Sequence, residues 1–205
     1  MKKLLFTIIM AFILWMVMFS PMTAPYVNFW WMMTASALIL SILSTCFSPR
    51  WWKQLHWTFS NVVLGVGIAV LLWLVFWVGD KVSGWMFDFA RPQVDLIYGM
   101  KDGESPLILT VLMLFLIGPA EEIFWRGYVQ RELSLRWSPN IGFVVTTLVY
   151  ALVHVGACNF MLFMAALIAG VVWGVLYRFF PERFLSIILS HALWDCAVFI
   201  WFPIE

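Results

Sequence analysis

The chain has 205 residues, of which 64% are hydrophobic, 19% aromatic and only 11% charged. A soluble domain carries about 25% charged residues, so this chain lacks the polar surface to coat a globule in water. The formal charge of +1 offers nucleic acid no basic field, and three cysteines (Cys46, Cys158 and Cys196), odd in number and without ligand spacing, argue against a disulfide framework and a cysteine zinc site. What remains is an all-α, polytopic helical bundle in a membrane.

A helix needs about 20 apolar residues to cross hydrocarbon. In chain order, such runs are expected at 4–22, 27–46, 58–78, 106–121 (continuing further as a helix), 141–154, 160–177 and 184–202. That makes seven spans with short loops, no internal repeat and no soluble domain. Lys2 and Lys3 before the first run imitate a signal peptide. Pro25 directly after Ala24 is a poor cleavage context and the run is long enough to span, so an uncleaved first helix is expected.

Lysine and arginine set the orientation. With the N-terminus cytoplasmic, the inner segments hold Lys2, Lys3, Arg50, Lys53, Arg131, Arg136, Arg178 and Arg183. The outer side holds Lys81, Arg91 and Lys101, in a loop shared with Asp80, Asp88, Asp95, Asp102 and Glu104. An integral, multi-pass protein of a bacterial inner membrane is expected. The aromatic excess (Trp30, Trp31, Trp51, Trp52 and Trp57 among it) reads as lipid-facing and interfacial. His56, in the same Trp-rich loop, reads as a surface residue. Ala166, Gly170 and Gly174 recur every four residues, a small-residue face that reads as helix packing.

The informative residues are those a bilayer penalises: Glu121, Glu122, Arg126, His154, His191 and Asp195 lie in or directly beside the spans. A charge at mid-membrane costs about 2.5–3.5 kcal/mol on insertion scales, so each needs a partner or a task. Glu122 and Arg126 are four apart and suit an ion pair on one helix face. Glu121 is turned about 100° from Glu122. Tyr150 with His154, and His191 with Asp195, repeat the four-residue spacing on two further helices. A hairpin turning at 137–139 puts Glu121 and His154 at one height, roughly 15 Å inside the cytoplasmic boundary, and His191 lies about 14 Å from the turn near Pro181.

One carboxylate and two imidazoles at a common depth suit water attack on a peptide carbonyl. Arg126 would neutralise Glu122, leaving Glu121 without its own counter-ion as general base; an imidazole would share the water's proton; His191 would donate to the oxyanion. The alternative is plain interhelical hydrogen bonding, which a Glu pair and two His make expensive.

Glu121-Glu122-Ile123-Phe124-Trp125-Arg126 resembles the EExxxR signature of the CPBP family, the CAAX-protease and bacteriocin-processing group. Tyr150 to His154 resembles its FxxxH motif, and His191 to Asp195 its Hxxx(N/D) motif, in the family's order and each on its own span. The resemblance covers about 108–200. It implies an intramembrane glutamic endopeptidase in which Glu121 and His154 activate water, His191 and Asp195 stabilise the oxyanion, and Glu122, Arg126 and Tyr150 support them, with no cofactor and no metal. Tyr150 departs from the usual Phe, and Asp195 from the commoner Asn. A carboxylate donates only when protonated, so Asp195 either acts on the oxyanion or orients His191 and favours its cationic form.

Residues 1–105 are then the variable N-terminal helices and outer loop, and 106–205 the catalytic core, within one membrane domain. The expected substrate is a membrane-embedded or lipidated peptide or protein tail cut in the cytoplasmic half of the bilayer, with the bilayer as surroundings and no nucleic acid.

Five rivals stand beside this reading. A zinc hydrolase would use Glu121, His154 and His191 as ligands, but the chain has no HExxH and would keep its activity in a strong chelator under the glutamic reading. A Ser190-His191-Asp195 triad fails because neighbouring residues on a helix point about 100° apart. Cys158 with His154 lacks an electropositive partner. A non-catalytic immunity or binding protein of the same family would still function as Glu121→Ala. A proton-coupled transporter has no repeat or broken helix pair to support it.

Overall fold

The computed structural model describes residues 1–204, which form helices and turns with no strand among them. Seven helices are long and apolar enough to cross a membrane: α1 (Lys2–Phe19), α2 (Phe29–Phe47), α3 (Phe59–Met86), α5 (Pro106–Arg136), α6 (Pro139–Ala157), α7 (Phe160–Phe179) and α8 (Pro181–Trp201). A shorter helix, α4 (Ala90–Tyr98), lies between α3 and α5. The chain is an integral, multi-pass membrane protein.

Local chemistry sets the helix starts. Asn28, Thr58, Ser138 and Asn159 each accept a hydrogen bond from a first-turn backbone N–H, at 3.0, 3.2, 3.2 and 2.9 Å. Such caps satisfy donors that a helix leaves orphaned. Pro139, just inside α6, is pre-set for a first turn and has no N–H to lose. Both expected hairpins form: α5 ends at Arg136 before α6 begins at Pro139, and a 3-10 turn, Pro181–Arg183, opens α8.

The two sets of cations separate to opposite ends of the bundle. At one end Arg131 donates to Ser48 Oγ (2.8 Å), Arg183 to Asn61 Oδ1 (2.9 Å), and Lys3 Nζ sits 5.0 Å from the centre of the Phe47 ring. At the other, Lys101 donates to the Phe199 carbonyl (2.8 Å) and Arg91 to that of Ile204 (3.2 Å).

Two expectations change. The third span runs eight residues past its expected end, so Asp80 and Lys81 are helical, and the outer loop contains α4. A helix can leave the hydrocarbon and continue where its charges are wet and paired. Here Lys81 is half exposed, Asp80 lies 3.4 Å from Arg91, and Arg91 pairs with Asp95 at 2.7 Å. Trp31, Trp52 and Trp57 are exposed, but Trp30 is buried, because its indole N–H donates to the Met100 carbonyl at 2.8 Å and its ring packs on Phe29 and Phe199.

Helix α5 crosses α8 at Gly118. A β-carbon there would stand 2.7 Å from the Ala192 Cα, so the two backbones are in contact. This crossing puts Glu121 and Glu122, one turn along α5, beside His191, the neighbour of Ala192. On α1, Trp15 and Met18 are buried; α3 buries Ala69 and Leu72 in a cluster with Trp173 and Ile187, so the first three spans flank the last four.

Candidate active site

Glu121 and Glu122 lie midway along α5, in a short α-helical stretch, Gly118–Glu122, between two π-helical stretches, Met113–Ile117 and Ile123–Gln130. Pro119 has no N–H and its ring crowds the preceding turn, which a wider π turn relieves. Such widened turns re-aim side chains and recur at functional positions.

Glu122 is the hub of the buried pairings. Its Oε1 accepts from Arg126 Nη1 at 2.8 Å and from His191 Nδ1 at 2.7 Å, and Glu122 and Arg126 are fully buried. The ion pair expected from the spacing forms, and Glu122 in addition holds the imidazole from α8. Arg126 reaches on to the Gly170 carbonyl (3.2 Å), with its guanidinium 4.9 Å from the Tyr150 ring centre and 5.5 Å from that of Trp173. One turn further, Gln130 Nε2 donates to the Gly174 carbonyl at 2.8 Å. The small-residue face of α7 therefore does more than pack. Its glycines bring α6 close, a β-carbon at Gly170 standing 3.0 Å from the Tyr150 ring, and they bare carbonyls to two α5 side chains.

His191 stacks on Trp173 with ring centres 3.8 Å apart and planes 15° from parallel. With Nδ1 committed to Glu122, its Nε2 edge faces Asp195 Oδ2 at 3.6 Å, an ion-pair distance too long for a good hydrogen bond. The orienting role expected of Asp195 fits that placement. Ser190 accepts from Trp173 Nε1 (3.1 Å) and donates to the Ile187 carbonyl (2.8 Å), so its hydroxyl is occupied.

Glu121 is turned away from this network. The residue is 8% exposed, its carboxylate lies near the Tyr150 hydroxyl, and its Oε2 has no hydrogen-bond partner. It borders a cavity of about 350 Å³ whose wall also includes Tyr150, His154, His191 and Asp195. The six polar residues singled out from the sequence thus meet at one place, four of them on the cavity wall and Glu122 and Arg126 behind it.

His154 faces the same cavity with both ring nitrogens engaged: Nδ1 at 2.8 Å from the Tyr150 carbonyl and Nε2 at 3.1 Å from the Trp15 indole N–H. The share in water activation expected of His154 would require Trp15 to move. Trp15 and Trp173 escaped the sequence reading because they were counted with the lipid-facing aromatics. Both are buried, at 1% and 0% exposure, and no spacing signal sets either apart.

The rest of the cavity is apolar and lies in the half of the bundle away from the arginine-rich end. Trp30, Phe76, Val94, Ile97 and Phe160 contribute to it, with Asp80 near the α3–α4 turn. Val75 on α3 and Ile168 on α7 border it while remaining 41% and 38% exposed, so it opens on the apolar flank of the bundle. In the orientation expected from the cations, the cavity opens in the outer half of the bundle, because Arg126, Gln130 and the α6–α7 contacts fill the inner half. Among the described residues no group of three His, Cys, Asp or Glu is placed to hold a metal ion.

Residues 103–197 match the family model described as type II CAAX prenyl endopeptidase Rce1-like. The match takes in all three motifs and leaves out α1, α2 and α3. No curated protein and no solved structure matches the chain.

Proposed function

Through residues 103–197 the chain belongs to the Rce1-like family of type II CAAX prenyl endopeptidases, a family of membrane proteases, and on that premise we propose that it is a glutamic intramembrane endopeptidase that cuts a membrane-embedded or lipidated peptide tail with water activated by Glu121. One observation carries the proposal: a buried carboxylate, not bonded to Arg126 and with an unpartnered oxygen, borders an apolar cavity whose wall also holds His191.

In this reading water sits between Glu121 and the scissile carbonyl carbon. Glu121 takes a water proton as the oxygen–carbon bond forms. The carbonyl oxygen becomes an oxyanion and accepts a hydrogen bond from His191 Nε2–H, whose ring Glu122 and Trp173 hold in place and Asp195 orients. The carbon–nitrogen bond then breaks, and Glu121 returns its proton to the leaving amine. The apolar walls exclude bulk water, which strengthens each of these interactions. A volume of about 350 Å³ suits one extended peptide segment or an acyl-type chain rather than a folded domain. The opening beside Val75 and Ile168 supports delivery from the lipid, in the outer half of a bacterial inner membrane.

The test compares termini of membrane peptides in cells carrying the wild type and Glu121→Gln, the variant that keeps shape and removes the base. At least one terminus is expected to change, with cleavage of that peptide by purified protein falling about 100- to 10,000-fold and little change in thermal unfolding. Identical termini in both cells would overturn the protease reading.

A further inference from the structure

Trp15 lies on α1, outside the matched segment, yet it touches a residue of the second motif. An indole N–H can only donate, and a backbone carbonyl can only accept. His154 stands between one of each: Trp15 Nε1 donates to Nε2 at 3.1 Å, and Nδ1 lies 2.8 Å from the Tyr150 carbonyl. These two partners permit a single state of the ring, with a proton on Nδ1 and a lone pair on Nε2. An imidazolium would set Nε2–H against the indole N–H. Two edge-on contacts hold the indole itself, with ring centres 6.4 Å from Trp125 and 6.2 Å from His154, and Phe19 covers the imidazole at 5.5 Å.

We propose that Trp15 is a positioning residue of the active site, which fixes His154 as the neutral, Nδ1-protonated tautomer with its Nε2 lone pair occupied, so that proton acceptance from water falls to Glu121 and not to His154. The ionisable groups around His154 fit that division. On the cavity wall they are Glu121 from α5, Tyr150 from α6, His191 and Asp195 from α8, Asp80 from α3 and Tyr98 from α4; α1 brings Trp15 and Phe19, and α7 only apolar side chains such as Met161 and Leu162. A neutral His154 therefore adds no cation beside Glu121, and the base keeps its proton affinity for water. The consequence for catalysis rests on the role given to Glu121 above; the fixed tautomer does not.

Imidazole 15N resonances of the full-length protein in detergent micelles test it, with His56→Gln used to assign the three histidines. In the wild type, His154 is expected to show a protonated Nδ1 and an unprotonated, hydrogen-bonded Nε2, unchanged between about pH 5 and 8. In Trp15→Phe the Nε2 signal should lose its hydrogen-bond shift, and the ring, still held at Nδ1 by the Tyr150 carbonyl, should become free to take up a proton at Nε2 within that window. A variant spectrum that matches the wild type would overturn the proposal. If Trp15→Phe does not fold, benzothienylalanine at position 15 puts sulfur in place of the N–H at nearly unchanged shape, with the same expected and overturning results. Because no turnover is read, failure here differs from unchanged peptide termini in Glu121→Gln, which would count against the protease reading alone.

Discussion

The inner and outer halves of the bundle, divided at Glu121 and Glu122, solve the membrane's polarity problem in opposite ways. In the inner half long polar side chains are tied across helices: Arg126 to Glu122 and the Gly170 carbonyl, Gln130 to the Gly174 carbonyl, Tyr177 to Gln54 at 2.8 Å, although Arg126 Nε and Glu122 Oε2 have no hydrogen-bond partner. The space between α5, α6 and α7 is filled. In the outer half the same helices spread around a cavity, and Glu121 keeps an oxygen without a partner. Neighbouring carboxylates on one helix thus take different roles. Glu122 ties α5 to α8 and, through Arg126, to α7, and Glu121 remains available to a ligand. The filled half is the rigid support on which the open half depends, because the His191 ring is held from below by Glu122 and Trp173.

Removing the support should have the largest effect. Arg126→Met leaves Glu122 buried with one partner fewer, and breaking a buried ion pair from one side costs about 3–5 kcal/mol. Thermal unfolding in detergent should show the loss, and Arg126→Met with Glu122→Leu should recover part of it, since the buried carboxylate goes with its cation and only His191 Nδ1 is left without its acceptor. A double variant no more stable than the single would mean that Glu122 is held mainly by His191 and not by the ion pair.

The next effect divides geometry from stability. Gly118→Val would push a side chain into the Ala192 backbone, where even a β-carbon would stand 2.7 Å from Cα. Overpacking costs about 1–3 kcal/mol, but the shift of α8 against α5 also moves His191 relative to Glu121. Misplacement by about 1 Å can cost about 100-fold in rate, so cleavage should fall well beyond what the loss of folded protein explains. A fall in proportion to folded protein would place the working geometry elsewhere than at this crossing.

The same division between filled and open halves explains what could be read from the sequence. Span number, both hairpins and the meeting of Glu121, His154, His191 and Asp195 followed from period and turn position, because an antiparallel pair of helices fixes heights once its turn is known. Glu122–Arg126 followed from the four-residue spacing. What did not follow depends on contacts between elements remote in sequence. That His191 is held by Glu122, and that Trp15 reaches His154 across 139 positions, are set by which helix faces which, and no local pattern encodes that. Trp30 was misplaced for the same reason: its partner is a carbonyl 70 residues away. The cavity was illegible too, because an absence of side chains between helices depends on crossing geometry and not on any residue's type.

The smallest expected effect probes the boundary between the halves. The Tyr150 ring lies against Arg126 in the filled half, while its hydroxyl reaches Glu121 at the cavity wall. Tyr150→Phe keeps the ring over the guanidinium and removes only the hydroxyl, so the inner network should survive and stability should change by about 1 kcal/mol, the net worth of one hydrogen bond. Phenylalanine is also the residue the FxxxH pattern has at this position, which makes retained cleavage, within about tenfold of wild type, the expected result in a peptide-cleavage assay. A loss as deep as that of Glu121→Gln would move Tyr150 from supporting the carboxylate to acting on the substrate, and the boundary between scaffold and chemistry would then run through Tyr150 itself.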